Sequence, residues 1–169
     1  LLALVPALRG RSVAVIGDAV ADEFVYGRVA RVSREAPVLI LEYDATHVVA
    51  GGAGNAANNV AALGGRAALV AVLGRDEPGR KLLASLHRGV DRRRVVRHAG
   101  HTPVKTRILA GGVHSAKQQV VRIDRGAGPV TDARTRVTFE RAALEASVRA
   151  DAVLLSDYGS GLVTPDFAS

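Results

Sequence analysis

The sequence predicts an α/β protein built on a doubly wound, mostly parallel sheet. Three observations carry that expectation. Short apolar, β-branched runs at 12–16, 67–73 and 152–155 each stop at Gly, Ser or Asp, as strands buried on both faces do. Segments of helical period follow the glycine turn at 51–54 and the second run, and another precedes the third, giving the strand–crossover–helix–strand–helix order of a parallel sheet. Acids stand just past two of the strand ends, at Asp18 and Asp157, where open α/β sheets gather their ligands.

At 169 residues the chain reads as one domain, long enough to bury a core. Its 48% hydrophobic and 23% charged residues are those of a globular protein in water. With no Cys, disulfides and cysteine-based metal or nucleophile sites are excluded. That fits a reducing compartment, and the expected location is the cytoplasm. Net charge is +7, carried mainly by arginine, since Lys occurs only at 81, 105 and 117. The positive residues are spread along the chain apart from Arg92-Arg93-Arg94. A basic surface attracts phosphorylated metabolites, whereas few aromatics and no basic helix repeat argue against nucleic acid. The chain contains no Met, so its start is expected to be trimmed or processed. Residues 1–8 are apolar but interrupted by Pro6 and followed by Arg9-Gly10-Arg11. They are too short to span a membrane and lack a basic n-region, and read as a lead-in helix.

In chain order, Ser12 to Ile16 is the first buried strand, with Gly17-Asp18 opening a loop that also holds Asp22. Two carboxylates there suit hydroxyls or a metal, or else a turn and a helix cap. Residues 38–43 and 47–49 read as two extended pieces, with Pro37 at an edge entry. Gly51-Gly52-Ala53-Gly54 then opens a helix that closes on Gly64, and the free N–H groups of such a helix start favour an anion or a polyhydroxylated ligand. Residues 67–73 form a strand, 76–88 a helix stopped by Gly89, and 104–109 with 118–124 a hairpin across Ala110-Gly111-Gly112. Lys105 and Arg107, two apart, share one face of the hairpin and could grip a phosphate, or simply face solvent. Thr131-Asp132 could cap a helix to 148. Residues 152–155 are a buried strand, and Thr164-Pro165 begins a last helix.

The glycine stretch supports two chemistries. Gly52 to Ala57 satisfies the G-x-G-x-x-A pattern of dinucleotide-binding oxidoreductases, with Asp76 near the ribose-acid spacing. Asn55, Asn58 and Asn59 are poor helix formers, yet their amides donate and accept as sugar hydroxyls require. A non-catalytic sugar-binding or dimerising module is a third reading. There is no P-loop, and His98, His101 and His114 lack the spacing of a metal site.

Taken together, Gly17-Asp18-x-x-x-Asp22, Tyr26-Gly27, Arg31 to Val38, Gly51 to Ala57, Lys105-x-Arg107, Gln118 to Asp124 and Leu155 to Gly159 resemble the N-terminal half of ribokinase-like (PfkB-type) carbohydrate kinases. Within that family the branch phosphorylating D-glycero-D-manno-heptose 7-phosphate at C1, often fused to a nucleotidyltransferase, is the most similar. The resemblance implies a three-layer αβα fold with a small β-strand lid near 25–50 and 104–124. It implies one domain over 1–169 whose catalytic C-terminal part lies outside the sequence, together with the aspartate base and the residues for ATP and Mg2+. No catalytic residue and no metal ligand is therefore expected here. Asp18, Asp22, Asn55, Gln119 and Asp157 would bind the sugar, Gly51 and Gly52 would form the lid hinge, and Lys105 and Arg107 would hold the substrate's phosphate. The acids at 18, 22 and 157 are expected to converge with Asn55 on one half-cup. The expected partner is a small sugar phosphate, without nucleic acid or membrane, and with a homodimer through the lid. Ser160 stands where many relatives carry a basic residue.

Overall fold

The computed structural model describes residues 2–111, 116–126, 128 and 132–168. A 3-10 helix at Leu2–Leu8 leads in. The main sheet contains β1 (Ser12–Gly17), β4 (Arg66–Val70), β6 (Val90–Asp91) and β10 (Ala152–Ser156), in the order β10-β1-β4-β6 and parallel throughout. Side chains alternate across it, as strands require. Val15 and Leu69 point to the side of helices α1 (Ala53–Ala62) and α2 (Glu77–Ala84), among Ala53, Ala57 and Leu82. Ala14, Ile16 and Val70 point the other way, onto Phe139 and Ala143 of α3 (Ala133–Ser147) and Phe167 of the short α4 (Pro165–Ala168). This is the doubly wound sheet the sequence predicts, in the three-layer αβα form the resemblance implies.

A second sheet stands at the C-terminal end of β1. It has the order β3-β2-β8-β9, from β2 (Ala19–Val32), β3 (Leu39–Gly52), β8 (Val104–Gly111) and β9 (Gln118–Arg125). β2 is antiparallel to β3 and parallel to β8, and β8 and β9 form the expected hairpin. The expected turn residue Gly112 and His114 lie outside the described residues, as does Thr131.

Several elements differ from the sequence reading. The loop expected after Gly17 is absent: only Asp18 separates β1 from β2, so the chain passes directly from one sheet into the other. Ala19 to Ala21 are buried in succession, residues 22–26 are half-buried and 28–32 are exposed, so the strand shows no simple alternation. The two extended pieces at 38–49 are one strand, β3, which runs straight into α1. The run 67–73 breaks at Ala71, after which β5 (Val72–Gly74) pairs in parallel with β7 (Val96–His98). Helix α2 ends at Ala84, earlier than expected. There the Ser85 hydroxyl donates to the Leu82 carbonyl (2.8 Å), and the Asn58 side chain accepts from the His87 N–H (2.7 Å). β10 was expected to be buried. It is an edge strand, and Val153, Leu154 and Leu155 are exposed.

Candidate functional site

Asp18 sits at the switch between the two sheets and is buried. Its N–H donates to the Ser156 carbonyl (2.9 Å), and its own carbonyl accepts from the Ala53 N–H (2.7 Å), which ties β1, β10 and the start of α1 together. Its carboxylate takes the N–H groups of Tyr158 (2.8 Å) and Ser160 (3.3 Å) and the Ser160 hydroxyl. Burying a carboxylate requires such donors. Asp18 therefore holds the 157–160 loop against the strand ends, and three donors from the chain already occupy it. Gly52 has φ +58, and a Cβ there would run into the Asp18 carbonyl. Only glycine fits this close approach of β3 to the junction.

Aligned residues of neighbouring strands share a face. Register places Asp22, Lys105 and Asp124 in one row of the second sheet and Phe24, Arg107 and Arg122 in the next. Arg107 Nη1 lies 2.6 Å from Asp22 Oδ1, and its guanidinium stacks over Phe24 at 5.2 Å. The Asp22 carboxylate lies against the Cα of Gly51, where any side chain would overlap it. The Arg122 guanidinium holds the Asp124 carboxyl below the usual carboxylate range. Desolvation opposes this, and Lys105 and Arg107 reinforce it. Asp124 in turn raises Arg122, with Asp22 adding to the effect. The face is thus a lattice of alternating charges. The opposite face, with Ala21, Ala50 and Val104, packs into the core.

A cavity of about 210 Å³ opens where the C-terminal ends of β1, β7 and β10 and the start of β5 meet β8. It is lined by Asp18, His98, His101, Lys105, Tyr158 and Ser160, among others. The Lys105 ammonium lies 5.6 Å from the centre of the Tyr158 ring at its edge. This is the position where open α/β sheets bind ligands.

The expected site residues are distributed unevenly around this region. Asp18 and Lys105 line the cavity, while Asp22, Gly51 and Arg107 form a contact cluster on the adjacent face. Gly52 contacts Asp18. Asn55 lies exposed in the first turn of α1. Asp157 is exposed and accepts from the Gly159 N–H (2.8 Å) in its own turn. Gln119 is exposed on β9 opposite Leu109. Asp22, Asn55 and Asp157 are not among the residues lining the cavity with Asp18. Asn58 links α1 to the end of α2 and is occupied there.

Sequence reasoning did not single out Tyr158 or Thr102, and considered His98 and His101 only as metal ligands. Among the described residues no three His, Cys, Asp or Glu side chains group closely enough to hold a metal. Thr102 is buried. Its hydroxyl accepts from the Gly74 N–H (3.0 Å) and donates to Asp76 (2.6 Å), a partner 26 positions away that no local pattern reveals. Asp76 also accepts from the N–H groups of Gly79 (3.0 Å) and Thr102 (2.8 Å). Burial pushes its carboxyl upward, but these hydrogen bonds outweigh that and hold it below the ordinary range. The dinucleotide reading loses its ribose acid to this helix cap. The strand before Gly52 is moreover antiparallel to its neighbour β2, unlike the parallel strand that opens a dinucleotide fold.

Comparison with known proteins agrees with this geometry. Residues 11–151 match the family described as pfkB family carbohydrate kinase. Bifunctional protein HldE of Caulobacter sp. (strain K31) is 42% identical over 162 residues, which is 94% of this chain and 31% of that protein. The chain thus spans about a third of the length of the curated relatives it matches. Among solved structures, phosphofructokinase-2 from Escherichia coli in complex with fructose-6-phosphate superposes with a TM-score of 0.64. It is 17% identical and covers 95% of this chain and 49% of its own. Arabidopsis thaliana ribokinase complexed with ribose and ATP gives a TM-score of 0.54 at 20% identity, over 86% of this chain and 45% of its own. At these identities the two structures speak for the ribokinase-like fold alone, while the family match covers most of the chain. The chain belongs to the pfkB family of carbohydrate kinases.

Proposed function

We propose that this chain is the sugar-binding part of an ATP-dependent kinase that transfers the γ-phosphate to a hydroxyl of a sugar phosphate, D-glycero-D-manno-heptose 7-phosphate at C1. The observation that carries the proposal is the Asp22–Arg107–Gly51 cluster, with Lys105 in register beside Asp22 and at the edge of the cavity. A carboxylate accepts sugar hydroxyls, and two cations one step apart on a strand suit a phosphate already on the substrate. The heptose branch rests on the motif resemblance and is supported by the 42% identity to a bifunctional HldE protein.

In this proposal the second sheet is the lid, Gly51 and Gly52 are its hinge, and residues 1–169 are the N-terminal part of one kinase domain. Asp22 binds and orients the sugar, Lys105 and Arg107 hold its phosphate, and Asn55, Gln119 and Asp157 approach the sugar from the rim. Asp18 contributes by fixing the loop that carries Asp157 and Tyr158. The described residues form no metal cluster and contain no P-loop, so the proposal assigns ATP, Mg2+ and the catalytic base to the remainder of the kinase fold. ATP supplies the phosphoryl group when bound. This chain's contribution is positioning, on which phosphoryl transfer depends. The exposed apolar residues on the outer strands, among them Leu39 and Tyr43 of β3 and Val121 and Ile123 of β9, suit the proposed homodimer contact through the lid.

The test is ATP consumption by the full-length protein with heptose 7-phosphate, fructose phosphates and nucleosides in parallel. Sugar-dependent turnover greatest with heptose 7-phosphate is the expected result. Absence of turnover with every acceptor would reject the kinase reading.

A further inference from the structure

The Arg92-Arg93-Arg94 run finds no role in sugar binding, because it lies at the opposite end of the main sheet. There the N-terminal ends of β1, β4 and β6 and the C-terminal end of α3 enclose a groove of about 360 Å³. Four arginines line it: Arg66, Arg93, Arg94 and Arg149. The floor is formed by small residues, among them Ala67 and Ala146, so the groove stays open between the guanidinium groups.

One carboxylate, Asp91, faces these four cations. Arg93 binds it through two hydrogen bonds (2.9 and 2.8 Å), and Arg94 reaches it at 3.4 Å. The Arg94 Nε is buried without a partner among the described residues. Arg66 and Arg149 are exposed, and among the described residues no ion pair or hydrogen bond engages either guanidinium; the Ser12 hydroxyl donates to the Arg149 carbonyl (3.2 Å). Like charges gathered around one concavity repel each other unless something neutralises them. Asp91 neutralises at most one of the four. The carbonyl end of α3 disfavours an anion near Ala146, but Arg149 stands on that same end and offsets it.

We infer that this groove is a second anion-binding site, separate from the sugar site, for a compact phosphate-bearing small molecule. Guanidinium pairs match phosphate oxygens bidentately, and a groove of this volume holds one or two phosphoryl groups with a small attached body. No aromatic side chain lines it on which a base could stack, which argues against single-stranded nucleic acid as the occupant. The inference does not depend on which sugar the enzyme phosphorylates.

The test is calorimetric titration of the full-length protein with inorganic pyrophosphate. It compares wild type, the double variant Arg66→Gln/Arg149→Gln and, as a control for the sugar site, Lys105→Ala. Both arginines of the double variant are exposed and their guanidinium groups hold no other part of the chain, so the substitution keeps their backbone bonds, and circular dichroism checks its fold. The expected result is saturable binding retained in Lys105→Ala and weakened about tenfold or more in the double variant, since a charged hydrogen bond is worth about that factor or more. Three results would overturn the inference: no saturable binding, binding lost in Lys105→Ala but kept in Arg66→Gln/Arg149→Gln, or a single-stranded RNA probe that binds here and resists displacement by pyrophosphate. Because Lys105→Ala reports on the sugar site separately, failure of this site and failure of the kinase reading are distinguishable.

Discussion

Arg107 Nη1 lies 2.6 Å from Asp22 Oδ1, with both side chains about four-fifths buried. They come together across two parallel strands although 85 positions separate them in the chain. In the proposed function, the phosphate ligand and the hydroxyl acceptor thus hold each other in place before substrate arrives. Removing one partner of such a pair leaves the other poorly solvated. Since the pair is partly exposed, Asp22→Ala should cost about 1–3 kcal/mol of stability, read from urea unfolding. Arg107→Ala should raise KM for a phosphorylated sugar more than for its unphosphorylated form. Equal effects on the two substrates would remove Arg107 from phosphate binding.

Gly51 and Gly52 fail for different reasons when given a side chain. At Gly51 the new methyl would strike the Asp22 carboxylate, which can swing aside. Gly51→Ala should therefore lower sugar turnover and, by loosening the Asp22–Arg107 pair, lower Tm less than Gly52→Ala does. At Gly52 the obstacle is the Asp18 backbone carbonyl and φ is +58, so nothing yields. Gly52→Ala should cost about 2 kcal/mol or more, seen as a clear fall in Tm. Similar Tm losses in both variants would contradict this division.

Asp18→Asn leaves one side-chain oxygen for what are now three donors, from Tyr158 and Ser160. The oxygen can keep the two N–H groups, but an amide N–H then meets the Ser160 hydroxyl, which must turn from donor to acceptor, and both remaining bonds lose their charge, at about 1 kcal/mol or more. Faster amide hydrogen exchange at Tyr158 and Ser160, with little change in α1, is the expected readout. Unchanged exchange there would show that the loop is held by something else.

Asp76 should contribute to the acid sensitivity of α2, beside Glu77, whose carboxyl Lys81 also holds below its ordinary range. The folded-state pKa of Asp76 is lower than the unfolded one, so the folded state favours the carboxylate. The resulting stability is complete above an ordinary aspartate's value of about 3.9 and is lost as pH falls through the lower folded-state value. In Asp76→Asn that part of the acid limb should flatten, with a cost near neutral pH of about 1–2 kcal/mol for the weakened cap. Tm measured from neutral to acid pH in both proteins tests it, and parallel curves would exclude Asp76 as the source.

The apolar runs at 12–16 and 67–73 announced the buried centre of the main sheet, and the glycines before Ala53 announced the helix that follows. These features were readable because their cause is local: side-chain alternation, backbone freedom and caps act within a few positions. The same reading took the start of β2 after Gly17 for a loop and did not anticipate β6, β7 or the hold of Asp18 on Tyr158 and Ser160. Each of those outcomes depends on a distant partner, such as Ser160, 142 positions from the carboxylate it donates to. Residue types decided which segments could bury themselves. Contacts between remote segments decided which acids are occupied, which remain open, and where the unmatched arginines collect.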